Sequence, residues 1–169
     1  MKIVVVLAMH GAPPRDFPRQ DMAEFFNLHS QLERAGGGER AALERRYAEL
    51  ETKMRAWPRS AENDPFYAAS QELGRHLGQA TGFPVVVGFN EFCAPSLDEA
   101  LDKAVAQGAE KVVVSTPMMT RGGEHSQVDI PAAISEAQKR HPEVTMLYAW
   151  PFEVSEVAQF LAAQIERHI

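Results

Sequence analysis

Three short clusters of polar residues follow apolar runs that have the length of β-strands. His10-Gly11 follows the first run, Phe89-Asn90-Glu91 ends the second, and Arg121-Gly122-Gly123-Glu124-His125 follows the third. In a parallel α/β sheet, ligands bind beyond the carboxyl ends of the strands, so these clusters are expected to meet there. Two imidazoles and a carboxylate in one place suit a borderline divalent ion such as Co²⁺, Fe²⁺ or Zn²⁺. The sequence therefore predicts a metal site made of His10, Glu91 and His125.

Each of these residues also has an ordinary structural explanation. A single histidine after a strand is more often a surface or hydrogen-bonded residue than a metal ligand. Glu91 alone is typical of a solvated loop carboxylate, and Gly122-Gly123 alone is typical of a turn. Together with Gly11, these glycines would let the backbone approach a bulky flat ligand. The three clusters are stronger jointly than singly, but by themselves they do not name a reaction.

Four apolar runs rich in β-branched residues predict the strands that position these clusters. They are Ile3–Met9, Pro84–Phe89, Lys111–Thr116 and Val144–Ala149. Their nearly continuous apolar character is typical of strands buried on both faces of a parallel sheet. Because helical patterns separate them, we predict one α/β domain over residues 1–169, a three-layer fold with a four-stranded parallel sheet flanked by helices.

Capping residues mark the helix boundaries. Asp64-Pro65 predicts the start of a helix that stops at Gly82. Ser96 and Glu99 predict a capping box, and Asp129 is expected to cap a helix with a proline in its first turn. A last helix from Ser155 to His168 is expected to turn four apolar residues inward, namely Val157, Phe160, Leu161 and Ile165.

The segment from about 14 to 63 is too long for a connection between a strand and a helix. It contains two helical stripes separated by Ala35-Gly36-Gly37-Gly38, so we predict a helical hairpin inserted after the first strand. The first stripe is Met22, Phe25, Phe26, His29 and Leu32, and the second is Leu43, Tyr47, Leu50, Met54 and Trp57. The hairpin either packs only on the protein itself or forms a lid or dimer contact whose aromatic residues enclose a flat ligand.

Composition excludes several classes of protein. The chain of 169 residues is 45% hydrophobic and 24% charged, as in an ordinary globular domain. Its formal net charge of −6 argues against nucleic-acid binding. No apolar run approaches the roughly 18 residues that cross a bilayer, and the apolar start lacks a convincing cleavage site. The single cysteine, Cys93, is expected to pack as a small apolar group and fits a reducing, cytoplasmic location.

These motifs resemble the small sirohydrochlorin chelatases of the class II chelatase superfamily, which include cobaltochelatase and ferrochelatase types. An apolar strand running into His10-Gly11 matches the family, as does Gly88–Leu97, where a strand ends in a glutamate before a Pro-Ser helix start. The most specific match is Val112–Pro131, in which Pro117, Gly122, Gly123, His125 and Asp129-Ile130-Pro131 keep the order and spacing of the family. The resemblance covers the first eleven residues and about 65–169.

The resemblance implies a lyase that inserts a divalent metal, Co²⁺, Fe²⁺ or Ni²⁺, into a tetrapyrrole such as sirohydrochlorin in cobalamin or sirohaem biosynthesis. His10, Glu91 and His125 would bind or deliver the metal and act in catalysis, while Gly11, Arg121, Gly122 and Gly123 would contact the tetrapyrrole. Arg15, Arg19 and Arg121 are candidate anchors for its carboxylates. A homodimer is expected, and no organic cofactor, nucleic acid or membrane partner.

Two other functions stay open at this stage. A strand followed by His-Gly also opens the histidine phosphatases, but these require an arginine directly before the histidine, where this chain has Met9. The second alternative is a metal or tetrapyrrole carrier that keeps the site without turnover. The inserted hairpin, Asn90 and the residues Met118–Arg121 depart from the family pattern, and all of them bear on the substrate pocket.

Overall fold

The centre of the protein is a parallel sheet. The structure is a computed structural model that describes residues 1–32, 34 and 36–169, without the side chains of residues 38 and 39. Its strands run in the order β2-β1-β3-β4. They are β1 (Ile3–Met9), β2 (Val85–Phe89), β3 (Lys111–Ser115) and β4 (Thr145–Tyr148). The predicted four-stranded parallel sheet is confirmed, and each bound lies within one residue of its prediction.

Helices cover both faces of this sheet. The described residues form the following α-helices: α1 (Arg19–Leu32), α2 (Gly37–Arg55), α3 (Pro65–Thr81), α4 (Leu97–Ala106), α5 (Ile130–Arg140) and α6 (Val154–Glu166). Helix α3 packs on β1 and β2, whereas α4 packs on β1, β2 and β3 and α5 packs on β4 and α4. Successive side chains of a strand point to opposite faces. Accordingly, Val4 and Val6 join a core cluster with Leu101 of α4, and Leu7 joins a second cluster with Leu77 of α3.

Side-chain caps fix the ends of the helices next to the sheet. The carboxylate of Asp64 accepts a hydrogen bond from the backbone N–H of Tyr67 at 2.8 Å. Ser96 and Glu99 form the predicted reciprocal capping box. The prediction for Asp129 is wrong, because its side chain makes no cap hydrogen bond. A π-helical turn, His125–Asp129, leads directly into α5, so the chain is already helical there and offers no cap position.

Helix α6 departs from the expected packing. Its apolar residues were expected to face inward, but Phe160, Leu161 and Ile165 are 61%, 53% and 61% exposed, and only Val157 is half-buried. The prediction fails because no other described element packs extensively on α6. Within the described residues, no helix combines the length and apolarity needed to cross a membrane.

The inserted segment folds as two helices that pack on each other. Helices α1 and α2 share a core cluster of Phe17, Phe25, Leu28, Leu50 and Met54. The stripe of α2 agrees with the prediction, since Leu50 and Met54 are buried. On α1 the predicted stripe is right in part: Phe25 is buried and Met22 packs on the cluster, but Phe26 is 46% exposed, His29 is exposed, and Leu28, outside the stripe, is buried. Of the predicted linker, Ala35 lies outside the described residues, and α2 already begins at Gly37.

Candidate metal centre

The carboxyl ends of three neighbouring strands bring the predicted ligands together. His10 directly follows β1, Glu91 lies two residues after β2, and His125 opens the π-helical turn after β3. Because β1 lies between β2 and β3 in the sheet, His10 is flanked by the other two residues. One ligand atom from each of His10, Glu91 and His125 lies within 4.8 Å of the other two.

The geometry of this triad suits one cation. Glu91 Oε2 lies 3.8 Å from His10 Nδ1 and 3.9 Å from His125 Nε2, and the two imidazole rings meet edge to face with centroids 4.5 Å apart. Ligand atoms about 2.0–2.2 Å from one Co²⁺ or Zn²⁺ ion lie up to about 4 Å apart. A contraction of less than about 1 Å would therefore place all three around one ion. The side chains of His10 and Glu91 are 47% and 40% exposed, so other ligands can reach an ion held there.

Asp129 orients the imidazole of His125. The π-helical turn places the two residues side by side, with Asp129 Oδ2 2.6 Å from His125 Nδ1. A carboxylate can only accept in such a bond, so Nδ1 carries the proton and the lone pair is on Nε2, the nitrogen that faces Glu91. π-Helical turns are rare and occur frequently at functional sites. The sequence prediction missed this role because it assigned Asp129 to a helix cap.

The backbones of the first two ligand loops are in direct contact. The N–H of Glu91 donates to the carbonyl of His10, and the N–H of Asn90 donates to the carbonyl of Met9, both at 2.9 Å. Gly11 has φ of +103°, and a Cβ at this position would lie 1.9 Å from the carbonyl oxygen of Glu91. The structure thus gives Gly11 a local role beside Glu91, because only a residue without a side chain fits this contact.

The other residues predicted to contact a tetrapyrrole are exposed and do not belong to the triad. Arg121, Gly122 and Gly123 are exposed in the loop after β3, and Gly122 has φ of +96°. Within the described part of the chain, Arg121 makes no hydrogen bond or ion pair. Arg15 and Arg19 are likewise exposed on the segment that follows β1. All of these residues lie on connections that leave the same edge of the sheet as the triad.

A cavity separates the triad from the inserted hairpin. It consists of two adjoining parts of about 200 and 180 Å³, and both are lined by Phe25, Tyr47, Glu91 and Phe92. His125 lines the first part. Burial and the nearby carboxylates of Glu51 and Glu91 raise the pKa of Tyr47, so its hydroxyl stays protonated at neutral pH. We call this space the hairpin cavity. Its lining includes the aromatic rings of Phe25, Tyr47 and Phe92 and the carboxylates of Glu51, Glu91 and Asp129.

Comparison with known proteins adds an independent finding. A family model described as CbiX matches residues 60–168. The chain is 43% identical over 70 residues to a sirohydrochlorin cobaltochelatase of Priestia megaterium, covering 41% of this chain and 22% of that protein. It is 36% identical over 90 residues to a sirohydrochlorin cobaltochelatase of Sulfolobus acidocaldarius, covering 53% of this chain and 63% of that protein. The chain thus spans about a fifth of the first relative and less than two thirds of the second.

A solved structure gives a weaker likeness. A cobalamin (vitamin B12) biosynthesis CbiX protein from Marinobacter aquaeolei VT8 aligns with a TM-score of 0.47 and 17% identity over 98% of this chain and 96% of that chain. Because this score and identity are low, the family assignment depends on the sequence match instead. That match includes Glu91, His125 and Asp129 and covers more than half of the residues. The chain belongs to the CbiX family.

Proposed function

We propose that this protein is a metal chelatase that inserts Co²⁺ or Fe²⁺ into sirohydrochlorin or a closely related tetrapyrrole. The observation that carries the proposal is the convergence of His10, Glu91 and His125 at three neighbouring strand ends. Relatives in the same family are named sirohydrochlorin cobaltochelatase and sirohydrochlorin ferrochelatase, which supports the substrate class and both metals.

The first step is capture of the metal substrate. His125 Nε2 and one nitrogen of His10 supply neutral donors, and Glu91 supplies a negative charge that offsets part of the charge of the ion. His10 Nδ1 lies 3.8 Å from Glu91 Oε2, so the ring nitrogen that faces Glu91 is the one assigned to the ion. Three protein ligands leave coordination positions open for water and then for pyrrole nitrogens. An exposed, incompletely coordinated ion of this kind can be passed to a second ligand.

The second step exchanges the ion for two protons. Insertion of M²⁺ into the free macrocycle releases two pyrrole N–H protons, so the site must accept both. As the metal leaves, the nitrogens of His10 and His125 regain lone pairs and can accept them. Asp129 stabilises the His125 imidazolium that results, because its carboxylate lies 2.6 Å from the opposite ring nitrogen. No other co-reactant is required, since the reaction changes no oxidation state.

The hairpin cavity is the proposed place for one edge of the macrocycle. Ligand pockets that enclose a drug-sized molecule typically measure about 300–1,000 Å³, whereas each part of this cavity is near 200 Å³. We therefore infer that one side of the flat ring enters between the triad and the hairpin. Tyr47, Phe92 and the half-exposed Phe26 can contact the conjugated ring. Trp57 was expected to enclose the ring as well, but it packs against Phe17 with centroids 5.1 Å apart.

Carboxylates of the substrate need positive partners, but no lysine or arginine is among the described residues that line the hairpin cavity. Glu51, Glu91 and Asp129 line the cavity, and these acids favour a divalent cation but repel a polycarboxylate. We propose that Arg121, with Arg15 and Arg19, binds the substrate carboxylates on the exposed surface at this edge of the sheet. Metal and macrocycle would then approach the site over surfaces of opposite charge.

The test is a direct assay of metal insertion. Purified protein is mixed with sirohydrochlorin and Co²⁺ or Fe²⁺, and the visible absorbance change is followed against the uncatalysed rate. Rapid, protein-dependent insertion is the expected result. Tight binding of metal and tetrapyrrole without acceleration would instead identify a carrier. A phosphatase assay run alongside addresses the third alternative, against which Met9, buried in the position of the required arginine, already argues.

This proposal also includes three points that the resemblance implies: the choice between cobalt and iron, a cytoplasmic location and a homodimer. Competition between equal concentrations of the two ions in the same assay ranks the metals. Sedimentation of the purified protein measures its mass in solution, and a mass of one chain would contradict the homodimer.

A further inference from the structure

We propose that Arg55 and Arg59, at the end of the inserted hairpin, are positioning residues for the metal centre. The guanidinium group of Arg55 contacts the loop that carries Glu91, and that of Arg59 contacts both this loop and the one that carries His10. This inference depends on the proposed function only in taking the triad as the metal site, and it assigns to the hairpin a role that neither a lid nor a dimer contact would require.

Arg55 brackets Glu91. Its Nη2 donates to the carbonyl of Asn90 at 2.9 Å, and its Nη1 donates to the carbonyl of Cys93 at 2.8 Å. These two carbonyls lie on either side of the residue that supplies the carboxylate ligand. One planar group therefore fixes the span of backbone from which the Glu91 side chain extends.

Arg59 joins both ligand loops to the scaffold. It donates to the carbonyl of Ala12 at 2.8 Å, two residues after His10, and to the carbonyl of Phe92, directly after Glu91. It also pairs with Asp64, the cap of α3, at 2.5 Å. The side chains of Arg59 and Asp64 are only 5% and 1% exposed. Such a buried ion pair holds its neighbours in one arrangement, because moving either partner leaves the other buried without its partner.

The loop that these arginines hold does not adopt its shape from local preference alone. Phe92 has φ of +60°, a left-handed conformation that a bulky residue rarely adopts. A strained residue of this kind persists only where the surroundings determine it. Here the surroundings are the carbonyl contacts of Arg55 and Arg59 on both sides of Phe92. The position of Glu91 thus depends on donors from the hairpin.

Because Arg55 and Arg59 belong to the inserted hairpin, removing the hairpin should affect metal binding. Both arginines precede the range 60–168 that matches the CbiX family model. If the hairpin served only as a lid or dimer contact, a short linker in place of residues 20–60 would leave Co²⁺ binding intact. If Arg55 and Arg59 position the ligand loops, the same deletion weakens metal binding even without a tetrapyrrole present. Point variants separate this effect from the loss of the hairpin core.

The experiment compares Arg55→Met with Arg46→Met in the full chain. Arg46 lies on the same helix and pairs with Glu24 and Glu49 on the outer surface of the hairpin, so its replacement removes a charge without touching a ligand loop. Co²⁺ is titrated into each protein, and its visible absorption bands report both affinity and coordination geometry. Thermal unfolding is measured on the same samples. Loss of partners that orient metal ligands typically weakens binding about 10–100-fold.

We expect Arg46→Met to bind Co²⁺ within about twofold of the unchanged protein, and Arg55→Met to bind at least about tenfold more weakly with altered bands. Arg55→Lys, which can reach only one of the two carbonyls, should fall between them. A folded Arg55→Met protein with unchanged affinity and bands would overturn the proposal. So would unfolding of both Arg55 variants, because the role would then be structural. Failure of the unchanged protein to bind Co²⁺ would instead refute the proposed function.

Discussion

Replacing Gly11 with alanine tests whether the metal centre depends on the contact between its two ligand loops. The new Cβ would lie 1.9 Å from the carbonyl oxygen of Glu91, whereas real Cβ contacts essentially never fall below 3.0 Å. The two loops must therefore separate by at least 1.1 Å, the difference between these distances. Metal–ligand distances tolerate only about 0.2 Å of error. We expect Gly11→Ala to move Glu91 out of reach of an ion held by the two histidines.

A second glycine serves as a control that separates the effect of Gly11→Ala on folding stability from its effect on the metal centre. Gly82 ends α3 with φ of +74° and has no atom within 4 Å of an added Cβ. Gly82→Ala thus imposes the backbone cost alone, about 1–2 kcal/mol. Gly11→Ala adds an overpacking cost, for a total of about 3 kcal/mol. In a chain of this size we expect Tm to fall by about 2–8 °C for Gly82→Ala and about 6–12 °C for Gly11→Ala.

Thermal unfolding and Co²⁺ titration on both variants give the answer. Gly82→Ala should keep the affinity for Co²⁺, whereas Gly11→Ala should lose about 100-fold, in the range expected when a metal site is displaced by about 1 Å. A Gly11→Ala protein that binds Co²⁺ as tightly as Gly82→Ala does would refute the reasoning. That result would mean that the ligand loops can separate without moving the carboxylate of Glu91.

Three further predictions concern single side chains. His125→Ala should abolish metal insertion with little change in Tm, because this imidazole is only half-buried at the start of the π-helical turn; a folded variant with full activity would remove His125 from the site. Asp129→Ala should weaken Co²⁺ binding about 10–100-fold, and Asp129→Asn should weaken it less because it keeps an acceptor for the Nδ1–H of His125. Equal Co²⁺ affinities of both variants and the unchanged protein would contradict the orienting role of Asp129. Burial raises the pKa of the Cys93 thiol, which leaves less thiolate at pH 8. A thiol reagent should therefore modify Cys93 only after denaturation. Rapid modification of the folded protein would show that the loop that carries Glu91 and Cys93 opens.

The strands and caps could be predicted because each has a local cause in the sequence. Val4, Val6 and Val112 belong to apolar runs too short for helices, and all are fully buried in the sheet. Asp64 and Ser96 precede helical patterns and cap them as expected. Hydrophobic periodicity, however, shows only that a helix has an apolar face and not what covers that face. For this reason the inward orientation predicted for Phe160 and Leu161 of α6 was wrong.

The triad could be proposed from the sequence because strand ends of a parallel sheet meet at one edge. That rule places His10, Glu91 and His125 together without any knowledge of side-chain geometry. Asp129 could have been found as well, since a histidine and an acid four residues apart share one face of a helix. Its position before Ile130-Pro131 favoured the interpretation as a cap, and the π-helical turn that overrides this interpretation has no signature in the residue types.

The arginines of the hairpin could not be assigned to the site from the sequence, for a reason that applies to backbone acceptors in general. Arg55 and Arg59 donate mostly to main-chain carbonyls, such as those of Asn90 and Phe92, and a carbonyl is present at every position whatever the side chain. In such a donor–acceptor pair, only the charged donor can be recognised in the sequence. A single arginine in a helical pattern is ordinarily a solvated surface group. Only the path of the chain shows that the end of α2 passes beside the Glu91 loop. The proposed metal centre thus combines candidate ligands that can be identified by residue type with proposed supports whose contacts become apparent only in three dimensions.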